Sequence, residues 1–319
     1  MGELGKKLAE RWLTLLVLPG AFYLGIVAAA VILGNAHALD VGRLASEITR
    51  DAKAPAVRAP GSQVLVLVAV LVGAAAVGIV AQALGALLEQ GALATGWRRW
   101  PRPLQALVRR GVNSRRRRWD SAHQTWHTEY QRARAPLPAD RPDPARRHHA
   151  ARVRDAIAVE RPDRPTWSGD RLHAAAVRLD RDHHLDLSTV WPYLWLALPE
   201  QTRSEIIASR AALSRAAVLG AWGVLYAALV IWWWPAVPIA VVTALTARHR
   251  FRAAADTYAQ LLEAAIRLHA TTLAARLGLT SGVPTENDPE SPPAQALDRE
   301  LGRALSHHLR TQLPSPGQR

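Results

Sequence analysis

Residues 216–247 read AAVLGAWGVLYAALVIWWWPAVPIAVVTALTA, 32 positions without a charge between Arg215 and Arg248. A bilayer core about 30 Å thick takes about 20 helical residues to cross. As one helix this run would measure about 48 Å at 1.5 Å per residue, too long even when tilted, and Pro235 and Pro238 interrupt it. Folded at 234–238, it becomes two arms of about 14–16 residues, roughly 21–24 Å each. Arg215 and Arg248 can snorkel to extend each arm, with Trp232, Trp233 and Trp234 as interface anchors at the far side. Two full crossings are the favoured reading and a re-entrant hairpin the alternative; both return the chain to the side it left.

Working outward, two further uncharged runs occupy residues 12–38 and 61–88. The first has a basic start at Lys6, Lys7 and Arg11 and an Ala36-His37-Ala38 sequence of cleavage-site form. Its apolar stretch, 12–33, exceeds the length of a signal-peptide core, so a retained membrane helix is expected. The second is apolar from 64 to 88 except for Gln82. The fold class expected is therefore all-α: a helical integral membrane protein with about four transmembrane helices and a helical cytoplasmic region.

Charge sets the expected orientation. Immediately after the second run, Arg98, Arg99, Arg102, Arg109, Arg110, Arg115, Arg116, Arg117 and Arg118 stand together without one acid. Basic residues close to a membrane end mark the cytoplasmic side. The preceding loop, 39–62, has four basic residues against three acids and is assigned outside. The expected plan is a cytoplasmic 1–11, a first transmembrane helix 12–38, an extracytoplasmic loop 39–62 and a second transmembrane helix 63–96. A basic cytoplasmic helical region 97–215, a hairpin 216–247, a cytoplasmic amphipathic helix 248–278 and a flexible tail 279–319 with a short helix complete it. Both termini fall in the cytoplasm of a bacterial cell, the membrane being its plasma membrane. Alanine- and arginine-heavy, lysine-poor usage (three lysines among 40 basic residues) suits a GC-rich bacterial genome.

The net charge of +14 and the pI near 11.2 point to anionic surfaces. The arginine segment also carries Trp97, Trp100, Leu104, Leu107, Val108 and Val112, so it could lie in the headgroup plane, apolar face down and guanidinium groups on anionic lipid. Nucleic acid is the disfavoured partner, because lipid phosphate is nearest to a segment leaving a membrane helix. Small residues at Ala74, Gly78, Ala81 and Gly85, and again at Ala216, Gly220, Gly223 and Ala227, mark candidate helix-packing stripes. Cysteine is absent, which excludes disulfides, zinc-thiolate centres and thiol nucleophiles. His123 and His127 lie one helical turn apart, but the intervening Gln124 lacks the carboxylate of the zinc-protease pattern, and exposed histidines are expected. The Asp182–Asp186 stretch reads as a solvated loop. No phosphate loop or nucleophile elbow is present, no cofactor or metal is implied, and no ionisable residue falls inside the uncharged runs.

Prolines between 135 and 144 read as a linker. A stripe at Leu262, Ile266, His269, Leu273 and Leu277 ending at Gly278 predicts an amphipathic helix, and Leu297, Leu301, Leu305 and Leu309 predict a last short one. Arg164-Pro165-Thr166, the segment Thr189-Val190-Trp191-Pro192-Tyr193-Leu194-Trp195, Leu198-Pro199 and the following hairpin resemble an uncharacterised family of bacterial, mainly actinobacterial, multi-pass membrane proteins. The resemblance covers 164–277, about a third of the chain. The chain departs from that family's pattern at 165–170, where members read Pro-Thr-Arg-Leu-Gly-Asn, and at 182–186, where they read Arg-Tyr-Gly-Leu-Asp. The resemblance implies architecture and brings no catalytic residues. The function expected is a non-enzymatic membrane-anchored scaffold or docking module with an unidentified protein partner. An accessory subunit of a membrane enzyme or transport complex is the alternative, and a tethered nucleic-acid binder the third reading.

Overall fold

A computed structural model describes residues 17–53, 60–134, 143–279 and 297–311. The basic start of the chain and residues 135–142 of the expected linker lie outside them. The described residues are helical, without a strand: α1 Leu18–Leu33, α2 Val41–Lys53, α3 Pro60–Leu93, a 3₁₀ turn Trp97–Arg99, α4 Arg102–Arg132, α5 Pro144–Ile157, α6 Trp167–His183, α7 Leu187–Ala197, α8 Glu200–Leu229, α9 Ala236–Arg276 and α10 Arg299–Thr311. Two compact units contain them, Met1–Gln90 with Ser214–Arg250, and Gly91–Leu213 with Phe251–Arg319.

Two helical stretches are long and apolar enough to cross a membrane, Gln63–Leu93 and Glu200–Leu229. By this measure two of the about four expected spans stand out. The first apolar helix is only 16 residues long over the described chain, and the second arm of the hairpin turns charged after Ala247, within α9. Glu89, 8% exposed and engaged with a partner, lies just past the uncharged run, near the end of the Gln63–Leu93 stretch. The loop expected at 39–62 contains α2. The hairpin turns at residues 230–235, where the Trp232 and Trp233 amides donate to the Leu229 carbonyl. Pro238 is tolerated because it falls in the first turn of α9, where no intrahelical donor is lost.

The first unit is held by close backbone approach. In α3, Ala74, Gly78, Ala81 and Gly85 are all buried, as a packing stripe requires. Ala74 offers its carbonyl to the Cα of Gly20 in α1, where no side chain could fit. Gly85 presses on Val218 of α8, so a Cβ there would sit 2.8 Å from the Val218 Cα. In the second stripe Ala216 and Gly223 are buried, and Gly223 packs on Ala244 of α9. Ala227 is exposed and drops out of the seam, and Gly220 is only half-buried. Before the α3 stripe and beside its start, Val64, Leu65, Val66, Leu67 and Val72 stand 51–71% exposed.

The second unit has a leucine-rich core built from α6–α10 and the chain between them. Leu179, Leu185, Val190, Leu194, Ile266 and Leu305 are fully buried there, each contributing roughly 1.5–3 kcal/mol of apolar burial. Val190, Leu194 and Leu198 of the Trp191 segment pack with Ile266 and Leu273 of α9. The short last helix is no part of a loose tail, contrary to expectation. Leu301, Leu305 and Leu309 enter this core, and Gly302 lies so close to the His183 carbonyl that only glycine fits.

Gly85→Val should lower the melting temperature of the detergent-solubilised chain, overpacking of a tight contact costing about 1–3 kcal/mol. Gly25→Val, facing open space, should cost nothing, because valine has the better helix propensity.

Candidate functional site

The arginine segment divides between inward and outward residues. Its helix α4 starts at Arg102 because Pro101 and Pro103 suit a first turn. Asp170, at 3% exposure, collects the inner end of this division. It accepts from the Asp163 and Arg164 amides, each at 2.7 Å, and from Arg115 Nη1 at 2.7 Å. Arg115 also donates to the Arg164 carbonyl. Arg116 reaches the Pro162 carbonyl at 2.6 Å and Asp163 at 2.6 Å, and Arg98 pairs with Asp163 at 2.7 Å. Burial pushes the Asp170 carboxyl up, while the Arg164 amide and Arg115 oppose it. Thr166 caps α6, accepting from the Gly169 amide at 3.1 Å and donating to the Ala92 carbonyl at 2.7 Å.

Three indoles fasten the same region. Trp97 Nε1 donates to the Asp163 carbonyl at 2.9 Å, Trp119 Nε1 to the Ala158 carbonyl at 2.8 Å and Trp167 Nε1 to the Asp155 carbonyl at 3.4 Å. Trp97, Val112 and Trp119 are buried within the protein. Trp97 and Val112 therefore drop out of the apolar side expected to meet lipid, and the assignment of Trp97 as an interface anchor is corrected. Arg115 and Arg116 are corrected too: their guanidinium groups neutralise Asp170 and Asp163 and are spent inside the fold. Trp100 is half-buried against Gly91.

What remains outward is basic. Arg99, Arg102, Arg109, Arg110, Arg117 and Arg118 are exposed, and no carboxylate among the described residues pairs with them. Leu104 and Leu107 are exposed beside them.

Sequence reasoning missed an aromatic ladder further along α4. Trp119 stacks on His123 at 4.6 Å, His123 adjoins Trp126 at 5.4 Å, and Trp126 stacks on Tyr130 at 5.3 Å. Arg154 of α5 lies 4.3 Å over Trp126. The 4-3-4 spacing was the available signal. His123 is half-buried rather than exposed, and desolvation, then Arg154 and His127, hold its pKa below the ordinary 6.5. No cluster of three metal-ligating side chains occurs among the described residues.

A second polar cluster ties α6 to α9. Arg171, 5% exposed, donates to Asp256 at 2.5 Å and to Glu263 at 3.0 Å, and Arg178 reaches Glu263 at 3.3 Å. The 182–186 stretch is a tight turn rather than a solvated loop. His184 adopts a left-handed conformation (φ 51°) that ends α6, Leu185 is buried, and Asp186 caps α7. Asp186 accepts from the Ser188 amide and hydroxyl, Thr189 and Arg310, which hold its carboxyl well below the usual range. Beside this turn lies an open cleft of about 660 Å³, walled in part by His173, Asp180, Trp191 and Tyr258. The His173 ring contacts Arg164 Nη2 through Nδ1 at 3.2 Å; desolvation first, and Arg164 second, lower its pKa. Ser188 spends its hydroxyl on Asp186, at 2.6 Å.

No family model, curated protein or solved structure matches the chain.

Glu263→Ala should destabilise the chain by about 2 kcal/mol in chemical unfolding, because the buried Arg171 keeps only Asp256 and Arg178 loses its bond to Glu263. Arg171→Met combined with Glu263→Leu should recover most of that loss. His123 and His173 both bind protons more weakly when folded than unfolded, so stability is full above about pH 6.5 and falls as the pH drops below it. Melting curves between pH 7.5 and 5 should show that decline, and His123→Gln should flatten it.

Proposed function

We propose that this chain is a membrane-anchored helical docking module that presents a rigid arginine face to anionic phosphate groups, lipid headgroups first. The carrying observation is the division of the arginine segment. Arg115 and Arg116 are locked into carboxylates and carbonyls, whereas Arg102, Arg109, Arg110 and Arg117 of the same helix are exposed and have no carboxylate partner among the described residues. Each basic residue near an anionic surface adds about 1 kcal/mol, so four or more hold the face there without a specific pocket. The bare apolar surface of α3 supports the anchor, since side chains such as Leu65 and Val72 have no protein cover. In this reading α1, α3 and the two arms of the hairpin cross the bacterial plasma membrane, with both termini inside. The implied kinship with the actinobacterial multi-pass family agrees with that plan. A nucleic-acid reading is less well supported, because Trp97 and Trp119 are turned inward and cannot stack on bases.

Phosphatidylglycerol added to the detergent-solubilised chain should raise its melting temperature, since a ligand that binds only the folded state stabilises it. Phosphatidylcholine should give little shift, and salt should erode the effect. A variant with Arg102, Arg109, Arg110 and Arg117 all changed to Gln should lose most of the response. Equal shifts with both lipids, or an undiminished shift in the variant, would overturn the proposal.

A further inference from the structure

We infer that α2 (Val41–Lys53) is an interfacial helix, lying in the headgroup–acyl boundary at the hairpin-turn end of the first unit. The inference rests on the membrane reading above and adds a surface to it. Along α2, Val41, Leu44, Ala45 and Ile48 recur at the 3-1-3 spacing that places them on one side of a helix, while Arg43, Ser46, Glu47 and Arg50 fall on the other. A soluble protein would turn the apolar side into its core. Here most of that side is uncovered: Val41 is 73% exposed, Ile48 55% and Ala45 is exposed as well, with only Leu44 half-buried. The polar side satisfies itself locally. Asp40 caps the helix by accepting from the Arg43 amide at 2.9 Å, and Arg50 pairs with Glu47 at 2.9 Å.

An independent observation names what covers the apolar side. The turn between α8 and α9 is bonded to the segment that leads into α2. The Trp234 amide donates to Asn35 Oδ1 at 2.9 Å, and Trp233 Nε1 donates to the Ala38 carbonyl at 3.1 Å. These bonds bring Ile231, Trp232 and Trp234 (71%, 59% and 50% exposed) to the same end of the unit as Leu39 at 70%. Exposed indoles beside an exposed amphipathic helix, at the end of apolar helices, match the aromatic belt of a bilayer interface. Indoles prefer that depth because the ring is apolar and its N–H still finds a hydrogen-bond acceptor. With Arg43 and Arg50 offset by Asp40 and Glu47, the charged side favours no anionic partner, so the occupant is the lipid boundary itself.

The native chain lacks cysteine, so single-cysteine variants of the full chain can carry a polarity-sensitive fluorophore. Val41→Cys, Ile48→Cys, Ser46→Cys and Arg50→Cys would be reconstituted in phosphatidylcholine–phosphatidylglycerol vesicles holding a nitroxide near the headgroups. Val68→Cys on α3, with a deep acyl-chain nitroxide, reports on the anchor. Labels at 41 and 48 should be blue-shifted and quenched several-fold more than labels at 46 and 50. Equal, weak quenching at all four sites would overturn the inference in favour of a hydrated helix. Blue shifts at 41 and 48 without quenching would overturn it in favour of protein cover, a second copy included. If Val68→Cys is quenched and Ile48→Cys is not, only the interfacial helix fails; if neither is quenched, the membrane reading fails with it.

Discussion

Asp170 gathers the second unit's polar architecture at one carboxylate. A buried ion costs several kcal/mol to desolvate unless charge and hydrogen bonds replace the lost water. Here two backbone amides and one guanidinium do so, all at 2.7 Å. The bonds have structural consequences in sequence order. The turn through 163 and 164 is drawn onto α6, α4 is drawn to that turn by Arg115 and Arg116, and Trp97 closes on the Asp163 carbonyl. Removing the carboxylate would free three chain segments at once.

In the membrane reading, the first unit solves a different problem. Side chains that face lipid gain nothing from burying apolar area against one another, so helices in that setting adhere through close packing of small residues. Gly20 against the Ala74 carbonyl and Gly85 against Val218 are contacts of that kind. The large side chains, Val64 through Leu67, are left on the outside. This inversion, small residues within and large ones without, separates α3 from the core helix of a soluble protein, in which the leucines would be the buried residues.

Much of this was legible in the residues. Periodicity alone located the Leu262–Leu273 and Leu301–Leu309 stripes, and the spacing of 74, 78, 81 and 85 marked a buried seam. What stayed illegible depended on partners remote in sequence. Nothing local to Arg115 distinguishes it from Arg117, yet one is bound to Asp170 and the other is exposed. Trp97 looked like an interface residue because it follows an apolar helix, but its indole N–H has an acceptor 66 residues away. The 182–186 stretch looked solvated because it is polar; its polar groups instead cap helices, and Asp186 holds Arg310 across 124 residues. Local pattern reveals which face of a helix is apolar, and only the tertiary fold reveals which charge has been neutralised.

Neutralisation also gives the composition its meaning. Residues 97–215 hold 24 arginines and 13 acids, an excess that the residues alone assign to a basic helical region. In the fold many of these acids are matched to an arginine, as in Arg98–Asp163, Arg115–Asp170, Arg161–Asp120 and Arg181–Glu160. Pairing consumes charge where the interior needs it, and exposed arginines are left on α4 and α5, as at Arg109, Arg117 and Arg152. Guanidinium suits both duties. It stays charged when half-buried, its planar donors satisfy carboxylate and carbonyl together, and outside it meets phosphate with the same geometry. Lysine, which loses its proton more readily on burial, could replace the outward residues but not Arg115 or Arg171. The near absence of lysine from this chain therefore has a structural consequence at a few inward sites and none at the exposed ones.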